Sequence, residues 1–110
     1  SIRGAKNMLA YATSKSAIVS FTASLALDLV KYKIRVNAVA PGAIDTQMVT
    51  SLKKEINSIS KYNIRMKEAH PIGRIGYPQE VANLVCFLAS EEASFMTGST
   101  IPIDGGRSIR

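Results

Sequence analysis

Ile34-Arg35-Val36-Asn37-Ala38-Val39-Ala40 is a short run in which β-branched residues alternate with others, and Pro41-Gly42 halts it. That pattern predicts a strand with a hard stop. Just ahead of it, from about Met8 to Lys31, Ala and Leu are frequent, and Ile18, Phe21, Leu25 and Leu29 recur at helical spacings. This predicts one long helix. A helix that passes at once into a short apolar strand is half of a β-α-β unit, which implies a parallel sheet covered on both faces. The fold class is therefore α/β. On the side of the helix opposite the apolar stripe lie Ala17, Ser20 and Ser24. Their small size lets a neighbour approach closely, in a layered sandwich or at a subunit interface.

Downstream the pattern loosens and then tightens again. Thr46 or Thr50 can cap a helix running from about Met48 to Lys67, with Met48, Leu52, Ile56 and Ile59 as its apolar stripe and Tyr62 or Met66 as candidates to extend it. An amphipathic segment of this kind between two firm elements is a candidate lid. Pro71, Gly73 and Gly76 end it. Pro78 then opens a compact helix with Gln79 and Glu80 in its first turn. Ser99-Thr100-Ile101-Pro102-Ile103 reads as a closing strand, with Pro102 marking an edge, an end or a bulge. Asp104-Gly105-Gly106 reads as a turn. Asn37 is expected to satisfy backbone groups near its strand, and Arg74 to pair with a carboxylate.

Composition narrows the function classes. With 110 residues, 46% of them hydrophobic, the chain is at most one domain and too apolar for disorder. The net charge of +6 invites an anionic partner. The cations are dispersed, however, with Lys53-Lys54 the only adjacent pair, and no nucleic-acid-binding motif is present, so no nucleic-acid partner is expected. The longest apolar run, Ala17 to Leu27, is interrupted by Ser20, Thr22 and Ser24 and falls short of the roughly 18 residues a span needs, so no membrane partner is expected either. His70 is the lone histidine, and no Cys/His cluster has metal-ligand spacing, so no metal site is expected. Cys86 is the lone cysteine, sits in an apolar run and reads as a small buried thiol in a reduced, cytoplasmic setting.

The chemistry concentrates at Tyr11-Ala12-Thr13-Ser14-Lys15. Residues four apart project from one helix face, so phenol and ammonium can share one site. A free tyrosine holds its proton at neutral pH, and a nearby cation favours the phenolate. The pair therefore suits a tyrosine acting as general acid or base.

Taken in order, Tyr11-x-x-x-Lys15, Arg35-Val36-Asn37-Ala38-Val39-Ala40-Pro41-Gly42, Ile44-x-Thr46-x-Met48, Pro71-Ile72-Gly73-Arg74-Ile75-Gly76-Tyr77-Pro78-Gln79-Glu80-Val81, Phe87-Leu88-Ala89-Ser90, Thr97-Gly98 and Asp104-Gly105-Gly106 resemble the short-chain dehydrogenase/reductase family. The resemblance covers essentially the whole chain and is closest to sugar/polyol dehydrogenases and 3-oxoacyl reductases. It implies the C-terminal part of a Rossmann-like doubly wound parallel sheet that binds NAD or NADP. Residues 1–110 would form that portion of a single domain, with catalytic helix, substrate lid, closing helix and closing strand. By the same resemblance, Tyr11 is the catalytic acid/base, and Lys15 holds the nicotinamide ribose and favours the phenolate. Pro41 and Gly42 form the turn beside the nicotinamide, Ile44 and Thr46 meet its carboxamide, and Met48 belongs to the substrate lid or to packing. The resemblance implies an alcohol or carbonyl compound as substrate. Lys53, Lys54, Lys61, Arg65 and Lys67 favour a polar or anionic one. The resemblance also implies a homodimer or homotetramer.

Other family features are not found between Ser1 and Arg110. The family's catalytic serine precedes the tyrosine by more residues than stand ahead of Tyr11. None of the seven glycines forms the Gly-rich phosphate loop. The expectation is that the N-terminal cofactor-binding half is absent from this chain. Two readings stay open: an NAD(P)-dependent oxidoreductase of which this is one part, and a catalytically incomplete fragment that acts only as a structural, self-associating module.

Overall fold

A computed structural model describes residues 9–46 and 59–109, the side chains of 59–63 excepted. Its α-helices are α1 (Leu9–Leu29), α2 (Ile59–Ala69) and α3 (Pro78–Ala89), and its strands are β1 (Ala38–Pro41) and β2 (Thr100–Ile103). Single 3-10 turns stand at Val30–Tyr32, Glu91–Ala93 and Arg107–Ile109. β1 and β2 pair with each other. The Ala38 N–H donates to the Ser99 carbonyl at 2.8 Å and the Gly42 N–H to the Ile103 carbonyl at 3.1 Å. Both chains advance in the same sense between these bonds, so the pairing is parallel, as the α/β reading requires. The chain divides into two compact units, one holding the described residues of 1–38 and 87–101, the other those of 39–86 and 102–109.

In the first unit, α1 ends close to its expected limit. A Val30–Tyr32 turn follows, closed by Lys33 in the left-handed conformation at φ 59°. The buried line on α1 is Thr22 and Ala26, one turn apart. Sequence periodicity placed the contact on Ile18, Phe21, Leu25 and Leu29, with Ala17, Ser20 and Ser24 as a second, small-residue face. Leu25 and Leu29 are indeed half-buried, but Ile18 and Phe21 are exposed, and so are all three small residues. Short side chains win the tightest position because the backbone comes in close there: a Cβ on Gly98 would lie 3.5 Å from the Ala26 Cβ. The Thr22 hydroxyl offsets its burial by donating to the Ile18 carbonyl at 2.7 Å. Leu88 and Ala93 complete the buried set of this unit.

The expected strand over 34–40 is shorter at its start than the sequence pattern suggested. Arg35 and Asn37 turn their side chains to carbonyls instead. The Arg35 guanidinium donates to the carbonyls of Leu88 at 2.8 Å, Ser90 at 3.0 Å and Met96 at 3.3 Å. It thereby satisfies carbonyls at the C-terminal end of α3 that have no partner within the helix. Asn37 donates through Nδ2 to the Met96 carbonyl at 2.8 Å and accepts the Ser99 N–H at 3.2 Å. Its expected role as a satisfier of backbone groups is what the structure shows.

In the second unit α2 leads into Pro71-Ile72-Gly73 and then into the start of α3. The helix expected from Met48 is described only from Ile59 onward. Met48, Thr50, Leu52, Lys53, Lys54 and Ile56 lie outside the described residues, as does the Lys61 side chain. Pro78 opens α3, and Glu80 reaches back to accept the Tyr77 N–H at 2.7 Å, the carboxylate half of a capping box. The same carboxylate takes both arms of the Arg74 guanidinium, at 2.7 and 2.9 Å. That is the carboxylate partner expected for Arg74. Cys86 does not follow its expectation, because it is exposed. It stands two positions from Leu88, the buried residue of α3, and two helical positions turn a side chain by about 200°.

Candidate functional site

Tyr11 and Lys15 lie in the first turns of α1, on one face, as their spacing predicted. The Lys15 ammonium sits 5.4 Å from the centroid of the Tyr11 ring. This is within cation–π range. Both side chains are exposed, Tyr11 to 58%, so phenol and ammonium are open to a ligand. The Ser14 hydroxyl, between them in sequence, is turned back to the Tyr11 carbonyl at 2.8 Å. The phenol can both donate and accept a hydrogen bond, and the ammonium beside it carries three donors.

Pro41 is the last residue of β1, and Gly42, Ile44 and Thr46 lie on the segment that leaves it, all in the second unit. This segment is held backbone to backbone on two sides. The Gly42 N–H is taken by the Ile103 carbonyl, while the Gly76 N–H donates to the Ala43 carbonyl at 2.9 Å and the Asp45 N–H to the Gly76 carbonyl at 2.9 Å. Ile44 and Gly76 thus form a parallel bridge. A Cβ on Gly42 would meet the Asp104 Cα and the His70 Nε2, each at 2.9 Å. Only glycine lets those groups come so near. A small pocket of about 100 Å³ opens beside the segment, lined in part by Gly42, Ile44, His70, Gly76 and Asp104.

Two carboxyl groups around the pocket have shifted titrations. The hydrogen bond from Arg74, then that from the Tyr77 N–H, lowers the Glu80 carboxyl to about 2. Burial alone would raise the Asp104 carboxyl, but hydrogen bonds from Ser108 and from the Gly106 N–H outweigh it and hold the group below its ordinary value. Asp104-Gly105-Gly106 is the expected turn. Both glycines have positive φ, and Asp104 accepts the N–H groups of Gly106 at 3.0 Å and Ser108 at 2.8 Å.

His70 carried no function in the sequence reading beyond excluding a multi-histidine metal site. In the structure it is 2% exposed and both ring nitrogens are engaged. The Ala43 N–H points to Nε2 at 3.1 Å, and Nδ1 faces the Met66 carbonyl at 2.7 Å. An amide N–H can only donate and a carbonyl can only accept. Nε2 is therefore bare, Nδ1 carries the proton, and the ring is neutral. Of its two partners, Ala43 is 27 residues away, a separation that no local pattern reveals.

Thus Tyr11 and Lys15 are brought together in one unit. Pro41, Gly42, Ile44 and Thr46 follow one another in the other, and Met48 lies outside the described residues.

Residues 1–108 match the family model described as "Enoyl-(Acyl carrier protein) reductase". The 3-oxoacyl-[acyl-carrier-protein] reductase FabG of Aquifex aeolicus (strain VF5) is 49% identical over 96 residues, 87% of this chain and 36% of its own length. Among solved structures, a short chain dehydrogenase family protein from Francisella tularensis subsp. tularensis SCHU S4 superposes with a TM-score of 0.88 at 45% identity, over 97% of this chain and 46% of that one. The ligand-free Thermoplasma acidophilum aldohexose dehydrogenase (AldT) gives a TM-score of 0.86 at 47% identity, over 97% of this chain and 44% of that one. The chain spans less than half the length of each of these relatives.

Proposed function

Because the chain belongs to the short-chain dehydrogenase/reductase family, we propose that it works within an NAD(P)-dependent oxidoreductase acting on an alcohol or carbonyl substrate. In this reading residues 1–110 supply the C-terminal portion of one Rossmann-like domain. The observation that carries it is the exposed Tyr11–Lys15 pair on one face of α1. The nicotinamide, when bound, supplies the hydride acceptor or donor. The protein's own share is the proton and the positioning. Tyr11 takes the proton from the substrate oxygen in oxidation and returns it in reduction. Lys15 holds ribose hydroxyls and steadies negative charge on the phenolic oxygen. The anchored segment Pro41-Gly42, with Ile44 and Thr46, receives the nicotinamide end, and Met48 contributes to the substrate side.

The similarity to 3-oxoacyl-[acyl-carrier-protein] reductases and to an aldohexose dehydrogenase supports a small carbonyl or hydroxyl compound as substrate. The cofactor in this reading is NAD or NADP. A homodimer or homotetramer and a cytoplasmic setting complete the reading. The setting is supported by a lone cysteine, which leaves no internal disulfide to protect.

A second reading, a structural and self-associating module without turnover, is favoured by one observation. Leu9, Phe21 and Leu27 of α1 are 83%, 64% and 77% exposed. Tyr11→Phe in the full-length protein decides between the two. Under the enzyme reading, hydride transfer falls by about 10²-fold or more, the scale of a lost general acid/base, while cofactor binding persists. Lys15→Met weakens cofactor binding and rate together. Unchanged turnover in Tyr11→Phe removes the residue from the mechanism, and no turnover in the unaltered protein favours the module.

A further inference from the structure

We propose that His70 is a positioning residue. Its neutral ring fixes the backbone of Gly42-Ala43, and through it the place where the nicotinamide end of the cofactor is received. The inference rests on the reading above, in which that segment meets the nicotinamide. It adds a residue which that reading does not use.

The argument starts from the polar backbone groups of the segment. The Gly42 N–H, the Ala43 carbonyl and the Asp45 N–H are all held by other backbone groups, from Ile103 and Gly76. The Ala43 N–H is held by a side chain, the Nε2 of His70 at 3.1 Å. It is therefore an anchor of this segment that a side-chain substitution can remove. The ring is itself fixed from the other end, where Nδ1–H donates to the Met66 carbonyl of α2 at 2.7 Å. Burial to 2% exposure leaves water little access to compete for either bond. Gly42 is shaped to this arrangement, since a Cβ there would lie 2.9 Å from Nε2. A buried ring with a defined tautomer, wedged between the end of α2 and a segment built around a glycine, acts as a strut between them.

Asparagine and glutamine separate the two ends of the strut. The asparagine amide can stand where Nδ1 stands and keep the Met66 bond while dropping the Ala43 bond. The glutamine carbonyl can reach where Nε2 stands and keep the Ala43 bond. In the full-length protein, His70→Asn should speed amide hydrogen exchange at Ala43 by about tenfold and raise the KM for NAD(P) by a similar factor, with a smaller change in kcat. His70→Gln should leave both within about twofold of the parent. Fast Ala43 exchange with an unchanged KM in His70→Asn overturns the positioning role and leaves the cofactor reading intact. Equal losses in both variants also overturn it, because the ring would then be mere packing. A parent protein that binds neither NAD nor NADP overturns the cofactor reading itself. If either variant fails to fold, 15N spectra of the parent's His70 still decide: a bare Nε2 and protonated Nδ1 support the strut, and the opposite tautomer overturns it.

Discussion

At the scale of single residues, Gly42 and Gly73 resist substitution for different physical reasons. A methyl group on Gly42 would press on the Asp104 Cα, a backbone atom, at 2.9 Å and on the His70 ring at the same distance. Gly42→Ala should therefore cost about 1–3 kcal/mol through overpacking, and it should disturb the Ala43–His70 bond. Gly73 has open space around it, with nothing within 4 Å, but its φ is 83°. Gly73→Ala should cost about 1–2 kcal/mol through backbone strain alone and leave Ala43 undisturbed. Urea midpoints measure both losses, and amide exchange at Ala43 tells them apart. The Tyr11–Lys15 pair was legible in sequence because its geometry is local: four positions on a helix settle which face both side chains share. Arg74 was legible as a partner for a carboxylate, and Glu80 is six positions on. His70 was not legible, because its partner at Ala43 is set by how α2 and β1 come together, and a single histidine carries no periodic signal.

Among elements, α3 shows how a helix start acquires a pH dependence. Glu80 accepts from the Tyr77 N–H at the cap and from Arg74 across a turn, and these bonds lower its carboxyl from 4.5 to about 2. A carboxylate with a lowered pKa binds protons less readily in the folded state than in the unfolded one. Its stabilisation is thus complete above about 4.5 and is lost as the pH falls towards 2. Glu80→Gln should flatten the stability–pH curve across that interval, read as urea midpoints at successive pH values. An undiminished slope would assign the acid sensitivity to other carboxylates, Asp104 among them. Helix and strand identities were readable because Pro78, Pro41-Gly42 and the apolar spacing act locally. What escaped was which side of each helix is covered. Ala26 on α1 is buried where Gly98 comes close, and Thr22, one turn before it, is buried as well. Cys86 on α3 is exposed because Leu88 takes the covered side.

For the whole molecule, the surface of α1 is the dominant fact. Leu9, Ile18, Val19, Phe21 and Leu27 all expose large apolar side chains along it. The 110-residue polypeptide made by itself should sediment as an oligomer rather than at 11.9 kDa. Phe21→Lys combined with Leu27→Lys should shift it towards that monomer mass, as analytical ultracentrifugation would register. A monomer before substitution would show that the helix needs no cover. The same helix awaits its partners during synthesis. Arg35 closes on the carbonyls of Leu88, Ser90 and Met96, which follow it by 53, 55 and 61 residues. At a translation speed of roughly 5–20 residues per second, the guanidinium leaves the ribosome about 3–10 s before the first of them. Through that interval α1 also lacks Gly98, the backbone that closes over Ala26, so a chaperone that shields the helix should raise the yield of native protein more than one acting after chain release.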